Sequence, residues 1–416
     1  MEEINSYYLI VSASVIIIIS YFFNLISKKT NVPSVLLLIS LGLLINSALN
    51  FFGYTNINWF PALEILGIIG LIMIVLESAL DLELTKEKTK LILKAFFTAF
   101  ISIGINIFVI AKIFQYFCVI DFFTAAVYAT PISIISSAIV IPSITTLPKE
   151  KQEFLIYEST FSDILGIIAF YSLLSFPEHD TISSFSTTVL VGLVITIIMS
   201  FLLSYLILFI AQKISTQEKL FLLMSILVLF FAIGKIFHLS SLIIILVFGL
   251  IINNKHLFIP KFLYNKFNEN VLESLTLDFK LITFETSFII RTFFFVIFGI
   301  TLSFKSIFEL KVIIITSLLL LTIYISRFII IKLFSFGKNN FPEYYIAPRG
   351  LITILLFYAI PDEHAINNFN NGILFLLIII SNVIMSIALI KQKYKFNKVE
   401  NNNVITTKTD NMSAKE

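Results

Sequence analysis

Five charged side chains stand inside long apolar runs of this sequence, and their types and spacing define the chemistry open to it. They are Glu77, Glu158, Asp163, Arg327 and Arg349. A charge at the centre of a membrane helix costs about 2.5–3.5 kcal/mol on insertion scales, so each one needs a reason. Residues 157–164 read YESTFSDI. Side chains four apart share a helix face, so Ser159 aligns with Asp163 and Glu158 with Ser162 on neighbouring stripes. One stripe offers a hydroxyl and a carboxylate, hard oxygen ligands suited to Na⁺ or Li⁺. A buried aspartate of this kind can hold either a proton or a cation. The other stripe offers a carboxylate that needs a basic partner, and Arg327 and Arg349 are the ones available.

Two further segments carry signs of interrupted helix. Residues 128–144 read YATPISIISSAIVIPSI, with Pro131 and Pro142 on either side of the Ser136–Ser137 pair. Proline removes a backbone donor and disfavours helix at the residue before it, which makes Thr130–Pro131 a candidate break with a hydroxyl and carbonyls to offer. Residues 346–357 read IAPRGLITILLF, where Pro348, Arg349 and Gly350 follow one another. Interrupted helices at bilayer depth are tolerated where they line a cavity, and their freed backbone groups bind ions.

The elements that must position these residues are transmembrane helices. The chain of 416 residues is 58% hydrophobic and 13% charged, which is too apolar for a soluble domain. Its apolar residues come in runs of about 20, the length that crosses a bilayer as helix. The runs fall at 7–26, 33–51, 60–79, 91–113, 121–147, 154–176, 187–212, 219–237, 239–254, 283–302, 311–334, 345–361 and 371–390. The fold class is therefore an all-α polytopic membrane protein of about thirteen spans. The acidic start MEEINSYY argues for a retained first helix rather than a cleaved signal. Lysines cluster after the odd-numbered spans (Lys28, Lys29, Lys86, Lys88, Lys90, Lys149, Lys151, Lys213, Lys219, Lys255, Lys261, Lys266, Lys338) and thin to Lys112, Lys235, Lys305 and Lys311 around the others. The positive-inside rule then puts the N-terminus outside and the C-terminus in the cytoplasm. Residues 1–390 form the membrane domain, and the polar stretch 391–416 reads as a short disordered tail.

Spans 5 and 12 are seven apart and so run in opposite directions. That is the arrangement of two broken helices in inverted repeats, spans 1–6 and 8–13, with span 7 as linker. The lone Cys118 excludes an internal disulfide and a thiolate metal site, and His179, His238, His256 and His364 are scattered through different segments. No nucleophile–base pair is evident, so an enzyme is not expected, and neither is a cofactor or a nucleic-acid partner. A single titrating acid predicts one-for-one, electroneutral exchange of a cation against a proton. A passive cation channel or a membrane sensor is the alternative of a different class, although no filter-like glycine-rich loop is present.

In order and spacing these residues resemble the monovalent cation:proton antiporter superfamily, in particular the prokaryotic sodium/proton antiporters of its electroneutral branch. Glu158-Ser159-Thr160-Phe161-Ser162-Asp163-Ile164 is similar to the family's Glu-Ser-x-x-Asn-Asp-Gly. Leu76-Glu77-Ser78-Ala79-Leu80-Asp81 is similar to its Phe-Glu-Gly-Gly-Leu-x-Leu-Asp, Ala129-Thr130-Pro131 to its Thr-Asp-Pro, and Pro348-Arg349-Gly350 to its Leu-Arg-Gly, while Arg327 matches a membrane arginine. The resemblance implies an antiporter of Na⁺ or Li⁺ against H⁺ in the plasma (inner) membrane, working by alternating access as a homodimer with a dimer domain and a moving core. It also implies cation ligation by Asp163, Ser159, Glu77 and the Thr130 region, with Ser162 where the family has Asn beside the binding Asp. Glu158 pairs with Arg327 in that scheme, and Arg349 compensates the crossed helix ends. Thr130 replaces the family's Asp before Pro131, which removes one acid from the site. The Ser136–Ser137 pair resembles the other branch of the superfamily, which includes potassium/proton antiporters, so K⁺/H⁺ exchange is the alternative within transport.

Overall fold

The computed structural model describes residues 6–30, 32–53, 59–174, 182–213, 219–236, 241–258, 269–301, 308–334, 340–366 and 369–413. The loop lysines Lys261, Lys266, Lys305 and Lys338, with His179 and His238, lie outside the described residues. The secondary structure described is helical throughout. In chain order the helices are α1 (Ser6–Thr30), α2 (Ser34–Phe51), α3 (Phe60–Asp81), α4 (Thr89–Cys118), α5 (Phe122–Ser133), α6 (Ser137–Ser143) and α7 (Lys149–Leu174). They are followed by α8 (Ile182–Lys213), α9 (Lys219–Ile236), α10 (Ser241–Asn253), the single turn α11 (Lys255–Phe258), α12 (Glu269–Thr301), α13 (Leu310–Phe334), α14 (Leu351–Tyr358) and α15 (Gly372–Ser413). Among the described residues ten helical segments are long and apolar enough to cross a membrane, and Leu220–Gly234 and Ser241–Asn253 are shorter apolar helices. Within residues 219–254 the described helices are α9 and α10, which pack against each other.

Two segments are interrupted. Between α5 and α6 the chain leaves helical geometry at Ile134, Ile135 and Ser136. Pro131, expected at the break itself, instead lies inside α5, which runs on to Ser133. Proline disturbs only the turn preceding it, whereas the N–H groups of Ile135 and Ser136 are drawn away to partners outside the helix: Ser162 Oγ at 2.9 Å and the Pro348 carbonyl at 3.0 Å. In the second segment residues 346–350 are non-helical and only α14 is α-helix. Helix α15 is the longest of the described helices. Its apolar part ends at Tyr394, and its described bounds run on through polar residues to Ser413. Residues 391–413 contain neither glycine nor proline, so nothing in the backbone chemistry stops it.

The helices pack in two groups. In one, α12 packs on α2 and α3, α10 on α3, α8 and α9, and α1 on α2 and α12. In the other, α4 packs on α5, α7 and α13, α7 on α5 and α6, α13 on α15, and α14 on α5. The groups meet mainly where α3 touches α6, α7 and α14, where α1 touches α6 and where α10 touches α7. Each group takes three expected spans from each half of the chain, with α8 added to the first.

Within the first group the backbones of α2 and α12 approach closely at Gly42 and Gly299. A Cβ on Gly42 would strike the Val296 carbonyl and the Gly299 backbone, and one on Gly299 would strike the Ile39 carbonyl. Small residues let membrane helices gain dispersion contacts that lipid cannot supply. The alanine substitution Gly42→Ala is therefore expected to destabilise the protein by about 1–3 kcal/mol, the usual cost of overpacking. Thermal unfolding of the purified protein in detergent would show a lowered midpoint, whereas the same change at Gly104, which has open space beside it, would leave the midpoint in place.

Candidate functional site

The site is built where the two interrupted segments meet. Ser136 N–H donates to the Pro348 carbonyl at 3.0 Å, joining them directly. Arg349 is fully buried; its Nε donates to the Ile132 carbonyl at 2.6 Å and its Nη1 to the Ala347 carbonyl at 3.2 Å. Both acceptors are carbonyls left without helical partners, and a guanidinium with several fixed donors suits them. The Arg349 backbone is held in turn by α15: its N–H donates to Ser381 Oγ at 3.1 Å, and Asn382 Nδ2 donates to its carbonyl at 2.9 Å. Gly350 is required here, because a Cβ would collide with Ser136 and Ile139.

Helix α7 presents its polar residues to this crossing. Ser162 Oγ accepts from Ile135 N–H, and Asp163 Oδ2 accepts from Ser137 twice, from the backbone N–H at 3.2 Å and from the hydroxyl. Asp163 Oδ1 is buried and has no hydrogen-bond partner. Ser159, which shares a face with Asp163, turns its hydroxyl onto the Leu155 and Ile156 carbonyls at 2.8 and 3.2 Å. Thr130 likewise donates to the Ala126 carbonyl at 2.8 Å. Such back-bonding keeps a hydroxyl satisfied within its own helix.

Glu158 meets Arg327 through a two-pronged pair, Nη1–Oε1 at 2.8 Å and Nη2–Oε2 at 3.1 Å, with both side chains buried. Arg327 Nε donates to the Glu343 carbonyl at 2.7 Å, and the Glu343 carboxylate is met by Lys151 at 2.8 Å. Glu77 meets Arg291 of α12 at 3.2 Å. Arg291 stands ten residues before the end of α12 at Thr301 and lines the same cavity as Glu77. Among the described residues three carboxylates are buried: Glu158, Asp163 and Glu343. Two have a cation beside them, and Asp163 has none.

A cavity of about 380 Å³ lies between α1, α2, α3 and α12 on one side and α6 on the other. Glu77, Ser78, Asp81, Ser137 and Arg291 line it, and Asp163 sits behind Ser137. Ser78 Oγ and Ser137 Oγ are 3.2 Å apart across the boundary between the helix groups. Ser137, Ser78 and Arg291 were not singled out as ligands by spacing. The Ser136–Ser137 pair was visible, but no helical period relates residue 137 to residue 163. Among the described residues no cluster of three or more His, Cys, Asp or Glu could hold a metal ion.

A family model described as "Sodium/hydrogen exchanger, transmembrane" matches residues 12–391. The structure is similar to that of the sodium proton antiporter MjNhaP1 from Methanocaldococcus jannaschii at pH 8, with 19% identity and a TM-score of 0.65, covering 92% of this chain and 98% of that one. An electron-microscopy structure of the same antiporter gives 18% identity and a TM-score of 0.65, covering 94% and 98%. At such identity the likeness is one of fold. No curated protein sequence matches this chain significantly.

Removing one partner of a buried ion pair strands the other charge, at a cost of about 3–5 kcal/mol. The single change Arg327→Ala should therefore lower the thermal midpoint of the purified protein sharply. The double change Glu158→Gln with Arg327→Met should recover much of the loss, because no uncompensated charge remains.

Proposed function

The chain belongs to the sodium/hydrogen exchanger family, and from that premise we propose that it exchanges Na⁺ or Li⁺ for H⁺ one for one, at a single site centred on Asp163. It is an integral membrane transporter and not an enzyme, and the ions it moves are its substrates rather than cofactors. The observation that carries the reading is that Asp163 is buried with no cation beside it and with one oxygen unpartnered. An ionised carboxylate left in that state is costly, since burial penalises an uncompensated charge. Either a proton or a monovalent cation removes the cost. Exchange follows if the site crosses the membrane only when one or the other is bound.

The charge count supports electroneutrality. Glu158 is balanced by Arg327, Glu77 by Arg291 and Glu343 by Lys151. Thr130 adds no charge, so among the buried acids of the described residues only Asp163 is left without a basic partner. The motif resemblance adds Ser159, Thr130 and Ser162 as oxygen donors from α7 and α5, and Glu77 on the cavity wall. The division into two helix groups, each drawing on both halves of the chain, supports inverted repeats and a core that moves against a scaffold.

The cavity is lined by Asn24, Ser34, Asp81 and Thr145, from the ends of α1, α2, α3 and α6 that adjoin the lysine-rich loops. We take that end as cytoplasmic, so the cavity represents an inward-facing state. The same asymmetry supports an N-terminus outside and a C-terminus inside. Residence in the plasma membrane, a homodimer, and a transport domain confined to residues 1–390 complete the proposal on the strength of the motif resemblance.

Purified protein in liposomes carrying a pH-sensitive dye should release protons on addition of Na⁺ or Li⁺, at a rate unchanged by clamping the membrane potential. Asp163→Asn should abolish this release while leaving the fold intact. A strong dependence on voltage would overturn one-for-one exchange. Full activity in the Asp163→Asn protein would overturn the site.

A further inference from the structure

We infer that Ser137, reached through Ser78, is a cation ligand that completes the site around Asp163 and shields it from the cavity in this state. The inference rests on the exchange reading above and names the side chains that set ion affinity within it.

A cation held by one carboxylate needs further hard oxygens close to that carboxylate. Among the described residues, both hydrogen bonds that Asp163 accepts come from Ser137. A serine hydroxyl has one proton and two lone pairs. Ser137 gives its proton to Asp163 Oδ2, so Ser78 is the donor in the Ser78–Ser137 contact. The order runs from the cavity inward: Ser78 to Ser137 to Asp163. Ser78 and Ser137 line the cavity, whereas Asp163 is 1% exposed and lies beyond them. An ion approaching from the cavity therefore meets these two hydroxyl oxygens before the carboxylate. On binding, Ser137 keeps its hydrogen bond to Asp163 and turns a lone pair to the ion, so ligation costs no hydrogen bond inside the protein.

Ser159 and Thr130 are differently placed. Each donates its proton to a carbonyl of its own helix, and neither makes a hydrogen bond to Asp163. The position of Ser78 carries a second consequence. It stands on α3, in the helix group opposite the one that holds Ser137 and Asp163. Any movement of one group against the other separates the two hydroxyls, so Ser78 assists binding from the cavity side only.

The test is Na⁺-dependent proton exchange by the full-length protein in liposomes, with Na⁺ varied on each side in turn. Ser137→Ala should raise the KM for Na⁺ about tenfold, as expected for loss of one ligand worth about 1.4 kcal/mol, with a smaller effect on the maximal rate. Ser137→Thr, which keeps the hydroxyl, should restore the wild-type KM. Ser78→Ala should raise the KM on the cavity side and leave the other side unchanged. Ser137→Cys keeps the size but substitutes a soft donor, so it should shift preference from Na⁺ toward Tl⁺. This last readout compares two ions on one protein and is independent of how much of it folds. Wild-type KM in Ser137→Ala, or an unaltered Na⁺ to Tl⁺ ratio in Ser137→Cys, would overturn the inference while leaving exchange at Asp163 standing. Absence of coupled exchange in the wild-type protein would instead overturn the reading on which it rests.

Discussion

The crossing of two interrupted segments in mid-membrane is the arrangement on which the rest of this structure depends, and partners found for its freed backbone groups hold it together. Lipid offers no hydrogen bonds, so an unsatisfied N–H or carbonyl there costs several kcal/mol. The partners can be traced one by one. Ile135, Ser136 and Ser137 N–H groups go to Ser162, the Pro348 carbonyl and Asp163. The Ile132 and Ala347 carbonyls go to Arg349, and the backbone of Arg349 goes to Ser381 and Asn382. Asp163 is thus part of the crossing as well as the centre of the proposed ion site. The carboxylate that stabilises the broken backbone is also the one left with a free oxygen.

Charge is distributed with the same economy. Glu158 and Glu343 sit in a chain with Arg327 and Lys151 that ties the start of α7 to the segment leading into α14. These charges hold helices together, and each is neutralised by its neighbour. Glu77 and Arg291 form a third pair, placed on the cavity wall rather than in the crossing. With these pairs closed, Asp163 is the one buried acid among the described residues without a basic side chain beside it. Replacement of an acid by Thr130 just before Pro131 is consistent with that economy, since a second open carboxylate would demand a second counter-charge.

The interior of the first helix group and the boundary between the groups are packed differently, and the difference bears on movement. Gly42 and Gly299 lock α2 to α12 backbone to backbone, which leaves little freedom inside that group. Across the boundary the contacts include a pair of serine hydroxyls and the hydroxyl of Tyr157 on the Glu83 carbonyl at 2.6 Å. Hydroxyl contacts of this kind rotate and re-form readily, whereas close-packed backbones do not slide. The cavity lies along the weaker boundary, beside the site.

Much of this was legible in the residues themselves. Apolar runs of bilayer length define the helices because the hydrocarbon core demands them, and a charge within such a run is costly enough to mark Glu77, Glu158, Asp163, Arg327 and Arg349 without any coordinates. The two interruptions were readable to within a few residues from Pro131 and from Pro348–Gly350. What spacing could not supply was pairing. Ser159 shares a helix face with Asp163, yet its hydroxyl is satisfied behind it, and the partner that meets the carboxylate comes from residue 137 on another helix. Arg291 meets Glu77 because of where α12 packs, and the break after α5 moved past Pro131 because Ser162 and Pro348 compete for its N–H groups. Helical periodicity fixes which way a side chain points from its own axis. Which group it meets there depends on how separate helices are brought together, and in a low dielectric that meeting decides which charge is neutralised and which is left for an ion.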